Sequence, residues 1–472
     1  MARNLIAATG SVKDPLAGCF LFSLCSHIRK ADVQCSLRMS KTKSCYRPND
    51  PCLLASSKIC STGTIVSKLA LEQYFKHMKG GSLAWVVFAT VLLAQAQPAS
   101  APVLRSFDRV QLLEEKGETS AGVSVGDLNG DGLPDIVLGK GRHWPLFNRV
   151  LLNDGHGGFI AGDLGTAPDR TYSAALADVD GDGQLDIVVS NDDPDRKLIY
   201  RNDGKGHFTE FGTFGDPKWS TRYVTLADLN GDGYPDIVAA NRGDYPDLVN
   251  GKPGKGREIP TPSYVCLNDG KGHFPACEAL PGTESATSIV AADFDGDGAL
   301  DMFVPHRDGG QSVVLWNDGK GRFPTSTRVG PARAWIRMGA AGDFDGDGRL
   351  DVVFIDERLK STFILFNRGG RQFGEPFRLP GPERHPYCVA VADLNHDNRP
   401  DIIVGYVEMP GSVYFNTGKG HTFDEVRWND GKGTVYGLAF ADFDGDGWPD
   451  IVAARSDAPN AIWFSTKPGV GR

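Results

Sequence analysis

Seven times along this 472-residue chain, oxygen-bearing side chains recur at alternate positions of a nine-residue phrase. The copies read DLNGDGLPD from Asp127, DVDGDGQLD from Asp178, DLNGDGYPD from Asp228, DFDGDGALD from Asp293, DFDGDGRLD from Asp343, DLNHDNRPD from Asp393 and DFDGDGWPD from Asp442. Positions 1, 3, 5 and 9 supply the donors. They are Asp127, Asn129, Asp131 and Asp135; Asp178, Asp180, Asp182 and Asp186; Asp228, Asn230, Asp232 and Asp236; and Asp293, Asp295, Asp297 and Asp301. The remaining three copies give Asp343, Asp345, Asp347 and Asp351; Asp393, Asn395, Asp397 and Asp401; and Asp442, Asp444, Asp446 and Asp450. Alternate carboxylates on a tight turn converge on one point, and glycine at position 6 permits the left-handed backbone such a turn needs. Calcium takes about six to eight oxygens, which four side chains, the carbonyl of position 7 and water would supply. The expectation is up to seven Ca2+ ions, one per repeat.

A single acidic turn reads as solvated loop, since Asp, Asn and Gly favour turns for local reasons. Seven in register do not, because two carboxylates about 4 Å apart repel by roughly 4 kcal/mol at an effective dielectric near 20. Asn129, Asn230 and Asn395 leave their loops one carboxylate short, and the Asp393 loop should bind most weakly, since His396 and Asn398 replace both of its glycines. An EF-hand would need helices around a longer loop ending in Glu.

Each loop lies between two strand-length apolar segments, such as Ala174-Ala175-Leu176-Ala177 and Ile187-Val188-Val189. A third segment, Lys197-Leu198-Ile199-Tyr200, leads to Asn202-Asp203-Gly204-Lys205-Gly206-His207-Phe208, a hairpin signal before a fourth strand. Four antiparallel strands repeated about every fifty residues predict an all-β, seven-bladed β-propeller. The last repeat stops at its third strand, Ala461-Ile462-Trp463-Phe464, while Arg105 to Val110 stands unused before the first. Pairing that N-terminal strand with the last blade would shut the ring and remove an exposed edge.

These loops and hairpins resemble the FG-GAP, or VCBS, repeat family, which includes the propeller of integrin α subunits and some calcium-bound fungal lectin propellers. The resemblance spans roughly residues 102 to 466. It implies a propeller, calcium in the acidic loops, and a ligand on the opposite face. A Gly-Ala-Pro tripeptide is absent and all seven blades carry metal loops, which departs from the integrin pattern.

Antiparallel strands put the acidic loops on one face and the loops joining strands two and three on the other. There stand His143 and Trp144, Asn191 to Asp193, Arg242 and Asp244, His306, Arg307 and Asp308, Asp356 to Arg358, Tyr406 and Glu408, and Arg455 and Asp457. Six residues before each acidic loop come Ala121, Tyr172, Arg222, Thr287, Arg337, Tyr387 and Tyr436, with Arg170, Trp219, Trp335 and His385 nearby. Aromatic and arginine side chains around one opening suit a polar, ring-shaped or anionic ligand. The expected work is therefore binding of an extracellular glycan or protein ligand by a monomer. A carbohydrate-active lyase or hydrolase and a protein-interaction scaffold are the alternatives, and no spacing identifies a catalytic pair. Arg242-Gly243-Asp244 is a tripeptide that chance supplies.

Six of nine cysteines fall within residues 1–77. After them Met78-Lys79, a 12-residue apolar run from Leu83 to Ala94, and Ala99-Ser100-Ala101 make a signal-peptide layout over 78–101. That run is well short of the roughly 20 residues that span a bilayer. Residues 1–77 thus read as an upstream extension, 102–472 as the propeller, and its location as secreted or periplasmic. The extension carries 11 Lys+Arg against 4 Asp+Glu, so the body beyond it is more acidic than the chain's −9. Such a body is unsuited to nucleic acid. In an oxidising compartment Cys266 and Cys277, which flank one hairpin, are placed to cross-link it, while Cys388 lacks a partner.

Overall fold

The second strand of each repeat is apolar along its length because neighbouring blades cover both of its sides. In the computed structural model Ile136, Val137 and Leu138, and likewise Ile187, Val188 and Val189, are fully buried. The structure describes residues 104–242, 261–308, 310–418 and 420–467, with the backbone of 248–249 and 252–253. The expected signal segment and the extension before it, as well as Gly243 and Asp244, lie outside the described residues.

Seven four-stranded antiparallel sheets form a ring of blades, and no described residue is helical. In the first, Ser120–Gly126, Asp135–Lys140, Leu146–Asn153 and Phe159–Asp169 run from the axis outward. Apolar clusters fill the space between blades rather than within them. Val137 and Val150 of the first blade pack with Ile187 and Leu198 of the second, and Ile136 and Leu138 pack with Val452 and Ile462 of the seventh. Inner strands are built from small residues because seven of them converge on the axis. A Cβ added to Gly122 would meet the Cα of Ser173 in the next blade at 2.9 Å.

The outermost strand of the seventh blade is Ser106–Leu112, which pairs antiparallel with Ala461–Thr466, Val110 opposite Trp463. Hairpin asparagines tie successive blades together. The amides of Asn202, Asn268, Asn317, Asn367 and Asn416 donate to the carbonyls of Leu128, Val179, Leu229, Phe294 and Phe344, each in the acidic loop of the preceding blade, at 2.6–2.9 Å. Cys266 and Cys277 are directly opposite across their hairpin and disulfide-bonded, and Cys388 is a buried free thiol.

Candidate functional site

Each acidic loop is folded around its own first aspartate. Asp178 Oδ1 accepts the N–H groups of Gly181 and Asp182, and its Oδ2 accepts that of Gly183. The same three bonds recur at Asp127, Asp228, Asp293, Asp343 and Asp442. In the sixth loop Asp393 accepts from Asp397 and Asn398, while His396 and Asn398 take up left-handed backbone at φ 54° and 62°. There the His396 ring stacks on Trp448 of the next blade.

The ninth position has a second task. Asp135, Asp186, Asp236, Asp301, Asp351, Asp401 and Asp450 are fully buried, and each accepts two backbone N–H groups. For Asp186 these come from Val179 in the loop and Asn202 at the end of the third strand, so one carboxylate fastens loop to hairpin. Burial pushes these carboxyls up, to about 6 for Asp186, Asp301 and Asp450 and to about 7 for Asp351 and Asp401.

Four loops gather three carboxylate oxygens within 4.8 Å of one another: Asp178, Asp180 and Asp186; Asp293, Asp295 and Asp297; Asp343, Asp345 and Asp347; and Asp442, Asp444 and Asp450. Their all-oxygen donor sets fit a hard divalent cation. In the other three the amides of Asn129, Asn230 and Asn395 donate to Asp131, Asp232 and Asp397. Arginines also reach the loops, Arg201 to Asp180, Arg371 to Asp295 and Arg109 to Asp444. The loop phrases gave no sign of these three, because each arginine lies on a separate strand or hairpin.

On the opposite face the inner strands open onto a cavity of about 200 Å³ lined by Ala121, Tyr172, Arg222, Thr287, Arg337, Tyr387 and Tyr436. That is the full ring six residues ahead of the acidic loops. Local backbone explains why. In six blades the pairing of inner and second strand shifts register across one residue, and the residue skipped is Ala121, Tyr172, Arg222, Arg337, Tyr387 or Tyr436. A β-bulge re-aims a side chain out of the ladder, here toward the axis.

A second circle comes from the turns after the second strands. Fourteen residues after the first loop aspartate stand Asp192, Arg242, Arg307 and Glu357, whose N–H groups are held by the carbonyls of Arg170, Ser220, Ser285 and Trp335. Their charges interlock with the bulge residues. Arg222 Nη1 lies 2.9 Å from Asp192 Oδ2, Arg337 Nη1 lies 3.3 Å from Glu357 Oε1, and Arg307 grips Glu357 through two nitrogens at 2.9 and 3.1 Å. His143 bridges Asp192 (3.0 Å) and the Tyr172 hydroxyl (2.9 Å). Although burial pushes Asp192 up, His143 and Arg222 hold its carboxyl well below the usual range. Arg222 stacks over Tyr172, Arg337 over Tyr387 and Arg142 over Tyr436, with centroid distances of 3.6–4.2 Å.

Several expected residues stand apart from this cavity. Trp144 and Trp335 are 70% and 42% exposed on the same face. Trp219 stacks on Tyr264 at 4.0 Å, His306 reaches the carbonyl of Gly282, and Asp308 pairs with Arg242. The His385 ring lies 6.3 Å from that of Tyr387, and the Glu408 N–H donates to Gly433. Tyr406 and Arg455 are interior side chains, 3% and 1% exposed, and Asp356 caps its own turn. Arg142, Tyr223 and Met338 line the cavity without having been singled out. Arg142 had a signal, since it directly precedes His143 in the same turn.

The FG-GAP-like repeat model matches residues 127–189, 178–239, 244–304, 306–354, 343–404 and 393–453, and the FG-GAP repeat model matches 224–257. No curated protein matches the chain. Among solved structures, BBS1N in complex with ARL6DN is 13% identical over 78% of this chain and 99% of its own, at a TM-score of 0.51. An Agrocybe aegerita lectin recognising non-reducing terminal N-acetylglucosamine is 20% identical over 74% of this chain and 86% of its own, at 0.48. Virginiamycin B lyase from Staphylococcus aureus is 13% identical over 75% and 97%, at 0.49. These likenesses concern the fold alone, whereas the repeat matches together cover more than half of the sequence. The chain belongs to the FG-GAP repeat family.

Proposed function

We propose that this protein binds calcium in its acidic loops and works outside the cell as a ligand-binding module, its central mouth holding a glycan or another polar ligand. The observation that carries this reading is the set of bulges that turn Tyr172, Arg222, Arg337, Tyr387 and Tyr436 out of the sheet ladders and into one cavity. Aromatic faces with interleaved guanidinium groups suit the apolar and hydroxylated faces of a sugar. Binding is favoured over hydrolysis by the state of the acids around the mouth. Asp192 is held well below the usual carboxylate range by His143 and Arg222, and a carboxylate held ionised is a poor proton donor, while Glu357 is gripped by Arg307 and Arg337. Calcium is supported by the all-oxygen loops, and export by the signal layout over 78–101.

The test is a glycan array read with the calcium-loaded protein, alongside metal analysis after extensive dialysis. Retention of a defined set of glycans, weakened in Tyr387→Ala, with several calcium ions per chain, is the expected result. A metal-free protein that retains no glycan would overturn it.

A further inference from the structure

Among the described residues the mouth carries more positive charge than its acids balance, in a chain whose overall charge is −9. Five guanidinium groups, Arg142, Arg222, Arg242, Arg307 and Arg337, line the cavity. Among the described residues three carboxylates answer them. Asp192 serves Arg222 and also His143, Glu357 is shared by Arg307 and Arg337, and Asp308 pairs with Arg242. Arg142 has no carboxylate within ion-pair distance among the described residues. Its guanidinium lies 4.2 Å over the Tyr436 ring, and its buried Nε has no hydrogen-bond partner there.

We infer that the mouth takes a ligand bearing an oxyanion, a carboxylate, sulfate or phosphate, and that Arg142 is the group on which that oxyanion sits. The planar guanidinium fork matches such groups through two parallel N–H donors, and a concave wall of low dielectric focuses the surplus charge. The Tyr436 hydroxyl donates to that of Tyr387, 3.0 Å away, which leaves the Tyr387 proton for one of the anion's remaining oxygens. The field of the site is visible in its neighbours. Burial together with Arg307 lowers Arg242 to about 10, and Arg337, the hydrogen bond from Tyr436 and Arg142 draw the Tyr387 hydroxyl down against its burial. This inference rests on the ligand-binding reading and names the chemistry of the bound group.

The experiment measures binding of polygalacturonate, chondroitin sulfate, neutral dextran and chitin oligosaccharides, and inorganic sulfate and phosphate, to wild type, Arg142→Gln, Arg142→Lys and Arg328→Gln. Arg328 is an exposed residue of an outer strand and controls for general charge. Melting temperatures show whether each variant is folded. We expect at least one anionic probe to bind with an affinity that falls as salt rises. Arg142→Gln should lose tenfold or more, Arg142→Lys should recover part of that, and Arg328→Gln should match wild type. Binding of polygalacturonate points to a carboxylate, whereas chondroitin sulfate, which carries both a uronate and a sulfate, bound without polygalacturonate points to the sulfate. Inorganic anions bound through Arg142 without any glycan would keep the oxyanion site and overturn the glycan reading. Neutral oligosaccharides bound as tightly as acidic ones, with no effect of salt or of Arg142→Gln, would overturn the oxyanion site and leave the glycan reading standing.

Discussion

The Asn202 amide in the second blade donates to the carbonyl of Leu128 in the first, 2.8 Å away, while its own backbone N–H is held by the buried carboxylate of Asp186. Hairpin, acidic loop and neighbouring blade therefore meet at one side chain. Removing that amide leaves a buried carbonyl short of a donor, which costs about 1–3 kcal/mol. Asn202→Ala should lower the melting temperature clearly. Asn153→Ala, whose amide reaches only Pro134 in its own loop at 3.4 Å, should lower it less. Equal losses in thermal melts of the two variants would contradict the inter-blade role.

Chelation should destabilise the ring. A single site at a hundred times its dissociation constant contributes about 2.7 kcal/mol, and several carboxylate-rich loops add to one another. Melting in excess chelator at the same temperature as in calcium would refute calcium binding. The sixth loop, with His396 and Asn398 in left-handed backbone, should release its ion first as calcium is titrated down.

The effect of pH follows from the ninth-position carboxyls. With no cation present, burial raises Asp351 and Asp401 to about 7 and Asp186, Asp301 and Asp450 to about 6, all above the 3.8 of an exposed aspartate. A folded-state value above the unfolded one means stability that is present at low pH and lost as pH rises through the folded value. The chelated protein should therefore weaken between about pH 4 and 7 through these groups. Calcium needs the ionised form, so the melting gap between loaded and chelated protein should widen from about pH 5 to 8. A gap that stays constant across that range would count against these carboxyls as ligands.

Deleting residues 104–112 should uncover the edge of Ala461–Thr466 and remove the Arg109 contacts with Asp444 and Phe464. An unpaired strand edge recruits other chains. Light scattering should then show aggregation, and a soluble monomer with unchanged melting would deny this strand its part in holding the ring.

The repeat made both the blade count and the acidic loops legible, because spacing and residue type recur in every copy. The ring of Tyr and Arg at the mouth was legible for the same reason, although the bulges that aim it were not, since skipping one residue of a ladder leaves no mark on an apolar pattern. In sequence Tyr406 reads as a loop residue of the mouth face, yet its ring ends a buried second strand with its hydroxyl 3.3 Å from that of Tyr414. A polar tip on an apolar ring suits either place, and position alone did not decide. Trp219 was drawn toward the mouth by its neighbours in sequence, whereas stacking on Tyr264 takes it elsewhere. The partnering of Arg307 and Arg337 through Glu357 joins residues fifty and twenty positions away from that glutamate and could be seen only in three dimensions.

A mouth that binds rather than cuts holds its polysaccharide without changing it. The most direct measurement incubates the calcium-loaded protein with a panel of polysaccharides and follows both retention and the appearance of new reducing or unsaturated ends. Retention without product is expected, weakened in Tyr387→Ala by the loss of a stacking contact of about 1 kcal/mol, and little changed in Glu408→Gln. Release of shortened or unsaturated chains, abolished by substitution of a mouth carboxylate or tyrosine while retention survives, would contradict it.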